Sequence, residues 1–209
     1  MPSASTVILV YGQRGAGKTW WLRRHLRRTR RLLVVDVTDD YRGLGLDTLD
    51  SWRTAGAAMA GRAWRLRLVG DLRHAGREAF AQNAEPEGLA RLGPGAAWLA
   101  WAARDCVLVL DELAYWCTPD FTPGPLRLIA SYGRHRGVSL LGTSRRPAEI
   151  SRHLSAMADV IVAYRTTEPR DVAYLRTVMG SDANRLPTLA RYQPLVFGEL
   201  ARAERILGS

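Results

Sequence analysis

Lysine is nearly missing from this chain: of its 30 basic residues 29 are arginine, and the one lysine is Lys18. That exception lies within Gly12-Gln13-Arg14-Gly15-Ala16-Gly17-Lys18-Thr19, where a compact ammonium on a flexible stem serves and a guanidinium fork does not. Cysteine is scarce as well. Cys106 and Cys117 are the only two, too few for a disulfide framework and without histidines at zinc spacing, so a reducing compartment is expected. Acidic residues number 20, which leaves a formal net charge of +10 and favours a polyanionic partner or substrate over a neutral one. No apolar run approaches the roughly 18 residues of a membrane span. Met1 to Thr6 carry no basic n-region. The expectation is a soluble, cytoplasmic protein of one domain, since 209 residues can bury a full core without metals or disulfides. Internal repeats, heptad runs and low-complexity segments are also lacking.

What is present begins with Val7-Ile-Leu-Val-Tyr11, an apolar strand that runs straight into the glycine-rich stretch. A strand, Gly12-x-x-x-x-Gly17-Lys18-Thr19 and a helix together form a phosphate-binding P-loop. Gly12, Gly15 and Gly17 permit the turns that aim successive N–H groups inward, with Gln13, Arg14 and Ala16 completing the cradle, and the helix opening at Lys18 adds its positive end. Lys18 is expected to reach the β- and γ-phosphates of ATP and Thr19 to ligate Mg²⁺.

Arginine-rich Trp20 to Arg31 reads as a helix, and Leu32-Leu-Val-Val-Asp36 as a buried parallel strand, which makes a βαβ unit of about thirty residues. Residues 42 to 62 show no clear period. The alternation in Trp64 to Val69 suggests a strand nearer a sheet edge, with Arg65 and Arg67 on one face. Helices are expected at Asp71 to Asn83 and from Gly95 to Arg104. Cys106-Val-Leu-Val-Leu-Asp111-Glu112 is the second informative stretch: four aliphatic residues and then paired acids where the strand should end. Ligands of open α/β sheets lie beyond the carboxyl ends of the strands, so both carboxylates are expected in the crevice of the P-loop. Asp111 is then the Walker B residue, holding Mg²⁺ directly or through water, and Glu112 the general base that polarises the attacking water.

A helix started by Pro123, Gly124 and Pro125 precedes another buried strand, Val138 to Gly142, which delivers Thr143-Ser144-Arg145-Arg146-Pro147 to the same edge. Ser144, with Thr143 beside it, is nominated to touch the γ-phosphate or the water; hydroxyls capping a turn before Pro147 are the alternative. Beyond it the pattern predicts a helix over Ala148 to Ala158, a strand over Asp159 to Tyr164, a helix over Pro169 to Met179 and a loop from Gly180 to Pro187. A last strand is expected at Leu195 to Leu200, with a tail from Ala201 to Ser209 too short to add a core. The whole reads as an α/β fold, a mostly parallel central sheet flanked by helices.

Gly12 to Thr19, Leu108-Val-Leu-Asp-Glu112 and Arg134-His-Arg-Gly137 leading into Leu140 to Ile150 resemble the FtsK/HerA superfamily of P-loop ATPases. The likeness is greatest to the short viral genome-packaging members. It implies the three-layer, additional-strand class, in which one strand separates the Walker A and Walker B strands. It further implies a homo-oligomeric ring, a hexamer above all, that threads double-stranded DNA through a basic channel, in a host cytoplasm or beside a virion with a capsid or membrane-bound docking partner. In such rings an arginine of one subunit reaches the neighbour's γ-phosphate. Arg134 or Arg136 is the position to transfer, with Arg145 or Arg146 as rivals. Many relatives carry glutamine where Ser144 stands. Two other classes fit a short P-loop chain: a small-molecule kinase, for which the Asp111-Glu112 pair is less suited than for water activation, and a phage assembly ATPase resembling the zonula occludens toxin-like proteins.

Overall fold

The computed structural model describes residues 5–49, 51–69 and 87–208. The helix expected at Asp71 to Asn83 lies outside them. The described strands are β1 (Val7–Tyr11), β2 (Arg31–Val35), β3 (Asp47–Leu49), β4 (Trp64–Leu68), β5 (Cys106–Leu110), β6 (Val138–Ser144), β7 (Val160–Ala163) and β8 (Leu195–Gly198). They form one sheet in the order β3-β4-β2-β5-β6-β1-β7-β8, parallel throughout except for the antiparallel β7–β8 pair. The aliphatic runs of β1, β2, β5, β6 and β7 occupy its centre because such strands are covered on both faces. β6 lies between β1, which feeds the P-loop, and β5, which ends at Asp111, as the additional-strand class requires.

Helices α1 (Lys18–His25), α2 (Trp52–Ala58), α3 (Glu87–Ala103), α4 (Gly124–Tyr132), α5 (Arg152–Ala156), α6 (Pro169–Met179) and α7 (Leu200–Leu207) complete three layers. Side chains alternate along a strand, so each strand serves two cores. Leu33, Leu108 and Leu140 point to a core shared with Ala96 of α3, Leu126 of α4 and Leu175 of α6. Leu32, Val107 and Leu141 point to the other, which holds Trp21 and Leu22 of α1 and Ala203 and Leu207 of α7.

Four segments depart from the sequence expectation. The tail is no appendage: α7 buries Ala203 and Leu207, the Thr29 hydroxyl donates to the Leu207 carbonyl at 2.8 Å, and His25 meets Glu204 at 3.0 Å. Residues 42 to 62 hold β3 and α2, whose short lengths leave too few turns for a period to show. β4 is second from the edge, which agrees with the expectation of a strand nearer it, and Arg67 can be buried there because Asp36 and Asp39 neutralise it at 2.9 and 2.5 Å. The α3 helix starts well before Gly95 and carries Pro94 inside. Its flanking glycines are required by close approach, since a Cβ on Gly93 would come within 2.5 Å of the Trp116 ring and one on Gly95 within 2.6 Å of Trp52. The loop expected at Gly180 to Pro187 is a run of 3-10 turns, Gly180–Thr188. Among the described residues no helix is long and apolar enough to cross a membrane.

Candidate active site

Because β1, β2, β5 and β6 run in parallel, the segments after Tyr11, Val35, Leu110 and Ser144 all emerge on one rim of the sheet. The P-loop takes the conformation its glycines allow. Gly12, Gly15 and Gly17 have φ of 149°, 71° and 114°, values an L side chain rarely adopts. At Gly12 a Cβ would also stand 2.6 Å from Cβ of Tyr164. The loop is anchored from outside by Gly12 N–H donating to the Ser144 carbonyl at 3.2 Å and by the Gln13 side-chain amide donating to Thr167 at 2.7 Å. Gln13, Arg14 and Gly15 are exposed, Ala16 is buried, and Thr19 is half-buried in the first turn of α1.

Lys18 is buried, its ammonium donating to the carbonyls of Gly12 at 2.7 Å and Gln13 at 3.2 Å. Burial pulls its pKa below the ordinary value. The charges of Glu112, Asp111 and Asp40 oppose that pull and Arg145 adds to it. Lys18 and the Asp111–Glu112 pair therefore share one electrostatic neighbourhood.

Asp111 is 3% exposed and accepts hydrogen bonds from Thr38 Oγ1 at 2.6 Å, Thr143 Oγ1 at 2.9 Å and Tyr41 OH at 3.4 Å. Burial pushes its carboxyl up to about 6, against the two threonine hydroxyls, which hold it down. Glu112 follows with φ 59°, a left-handed conformation uncommon for a non-glycine residue. Its N–H donates to Thr143 Oγ1 at 2.8 Å and its Oε1 accepts from Arg145 Nε at 2.8 Å. Thr143 thus links the two acids: its single hydroxyl donates to one and accepts from the backbone of the next.

The nominated hydroxyl of Ser144 is fully buried and engaged in the turn that follows, accepting from Arg146 N–H at 3.1 Å. This is the turn-capping arrangement, and it is Thr143 that faces the carboxylate. Arg146 is drawn away to buried Asp171, its Nε donating at 2.7 Å. Arg134 and Arg136 precede β6 and so stand at the opposite rim from their own P-loop. Arg134 is exposed in the 3-10 turn Gly133–His135, and the Arg136 guanidinium lies over the Trp101 ring at 4.9 Å.

Three residues of this site were not singled out in the sequence: Thr38, Tyr41 and Asp36. Asp36 accepts from the N–H groups of Asp40 and Tyr41 at 3.0 Å each, which closes the loop after β2 and aims Thr38 and Tyr41 at Asp111. The signal was an acidic, turn-prone run directly after a buried strand. A magnesium ion in a phosphate site typically takes one or two carboxylates and completes its shell with water and phosphate oxygens. The donor set fits that demand: Thr19 offers a hydroxyl at the start of α1, and Asp111, its oxygens already accepting from three hydroxyls, suits contact through water.

No family model and no curated protein matches this sequence. Solved structures do match. The genome packaging NTPase B204 from Sulfolobus turreted icosahedral virus 2, in complex with AMPPCP, is 14% identical with a TM-score of 0.70, and the match covers 94% of each chain. VirB4 of Thermoanaerobacter pseudethanolicus is 15% identical with a TM-score of 0.59, over 96% of this chain and 91% of that one. The pCW3 conjugation coupling protein TcpA with ATPγS is 17% identical with a TM-score of 0.51, over 99% of this chain and 65% of that one. The chain shares the fold of these proteins, a mostly parallel P-loop NTPase sheet flanked by helices. The rim that carries the P-loop, Asp111 and Glu112 is thus built on a scaffold that in B204 accompanies a bound nucleotide analogue.

Proposed function

We propose that this protein is an ATP hydrolase that drives double-stranded DNA as a homo-oligomeric ring, a genome-packaging motor in particular. The observation that carries the reading is the convergence at one sheet rim of a buried lysine in a P-loop with a strand-end Asp-Glu pair. The +10 charge and the likeness in fold to B204, a genome packaging NTPase, support DNA as the polyanion.

The chemistry follows from the residues. Lys18, which in this state donates to two P-loop carbonyls, exchanges them for β- and γ-phosphate oxygens, and the P-loop amides neutralise the rest of the charge. Thr19, and Asp111 through water, would hold Mg²⁺, which would supply positive charge against the phosphates. Glu112 orients and deprotonates water in line with the γ-phosphate once its carboxylate leaves Arg145. Arg134 is the residue we assign to the neighbour's γ-phosphate, because it is exposed at the opposite rim, whereas Arg145 and Arg146 follow β6 at the rim of their own P-loop and Arg136 lies over Trp101. A hexamer is the ring the family resemblance suggests. Phosphate release measured against protein concentration, with and without double-stranded DNA, tests the reading. Turnover should rise steeply with concentration and again with DNA; turnover proportional to concentration and indifferent to DNA would refute the motor.

A further inference from the structure

One segment beside the P-loop takes no part in the mechanism above. β8 is antiparallel to β7, so it begins at the rim where β7 ends, and the residues leading into it, Ala190 to Pro194, are delivered next to the phosphate cradle. Tyr192 lies in that segment with φ 67°, a strained backbone for a bulky residue. Two P-loop glycines adjoin the segment: a Cβ on Gly17 would stand 3.1 Å from Tyr192 Cδ1, and one on Gly15 would stand 3.6 Å from an Arg191 guanidinium nitrogen. The Arg191 guanidinium lies over the Tyr192 ring, 4.8 Å from its centroid, and yet Tyr192 is 57% exposed. A large aromatic ring is therefore held in an unfavourable backbone conformation, braced on one side by an arginine and a glycine, and still open to solvent. Burial does not explain the arrangement.

Sheet order says which part of a nucleotide would meet it. Asp111, Glu112 and Thr143 come from β5 and β6 and mark the γ-phosphate end of the cradle. β7 and β8 lie on the other side of β1, so a nucleotide with its γ-phosphate toward Glu112 leaves the P-loop toward Tyr192. We propose that Tyr192 is the base platform of this site, its exposed face stacking on the purine of a nucleoside triphosphate while Arg191 positions the ring. The inference rests on the ATP-site reading above and adds the residue that recognises the nucleoside half.

Calorimetric titration of the full chain with Mg·ATP and with Mg·tripolyphosphate, which has the phosphates and no base, separates the contributions. Tyr192→Ala should weaken ATP binding about tenfold, the size of one lost base–aromatic stack, and leave tripolyphosphate binding unchanged, which also certifies the fold. Tyr192→Phe should bind ATP as the parent does. Equal losses for both ligands would show that the ring only props the P-loop, and unchanged ATP affinity in Tyr192→Ala would show that it touches no base; either overturns the platform. A parent chain that binds neither ligand would instead overturn the ATP-site reading, and the platform with it.

Discussion

The two rims of the sheet are built from the same strands and differ in almost everything else. At the carboxyl rim, charge is buried and interlocked: Asp111 accepts from Thr38, Tyr41 and Thr143, Asp36 from Arg67, Glu112 from Arg145. At the amino rim, a cleft of about 430 Å³ is lined by Arg28, Arg30 and Arg31 with Asp105 as the carboxylate among its walls, and Arg28 and Arg30 are exposed. Aliphatic strands of this kind fix where each rim is but impose nothing on its chemistry. One end has been filled with groups that position one another, the other with charge that can meet a long polyanion or a neighbouring subunit.

If the amino rim serves a neighbour's catalysis, Arg134→Ala should give the largest effect: a fall of about 10³ to 10⁵ in turnover, the worth of an arginine finger, with ATP affinity kept. Mixing that variant with a Glu112→Gln chain should restore part of the activity, because in mixed rings a parental Arg134 meets an intact Glu112. An Arg134→Ala chain that hydrolyses ATP normally would confine catalysis to the carboxyl rim. Glu112→Gln alone should lower turnover about 10²- to 10⁴-fold and leave ATP binding intact. Unchanged turnover would remove Glu112 as the base.

The interlocking of the carboxyl rim predicts a stability effect of its own. Arg67 is 5% exposed by its side chain and pairs with a fully buried Asp36 carboxylate, so Arg67→Met should cost about 3–5 kcal/mol by leaving that charge unpaired. Denaturant unfolding would read this loss. A loss below about 1 kcal/mol would mean that Asp36 is satisfied by the N–H groups of Asp40 and Tyr41 alone.

The carboxyl rim was half legible in the sequence, and the division is physical. Gly12 to Thr19 and Asp111–Glu112 announce themselves because their function depends on local spacing: glycines where φ must be positive, acids where an aliphatic run stops. Thr38 and Tyr41 do not, because they acquire meaning only when β2 lies beside β5 and the Asp36 loop closes. Likewise Ser144 and Thr143 are chemically near-equivalent as text. Their strand alternation sends one hydroxyl to the carboxylates and the other into a turn. The α7 tail was missed for a related reason: eight residues cannot make a core alone, but they can finish one that α1 leaves open.

The smallest expected effect tests the amino rim as a polyanion surface. Arg28 and Arg30 flank the cleft far from the P-loop, so replacing both by glutamine should leave ATP affinity unchanged and weaken double-stranded DNA. Contacts to phosphates act by releasing counterions, each worth a slope of about 0.9 in the logarithm of affinity against the logarithm of salt. Losing two contacts should therefore flatten the slope by about 2, equally for DNA of any sequence, in an anisotropy titration across salt. A parallel downward shift with no change of slope would mean that the arginines shape the cleft without touching phosphate. The DNA would then have to be sought on another face, and the contrast between the rims would reduce to catalysis against solubility.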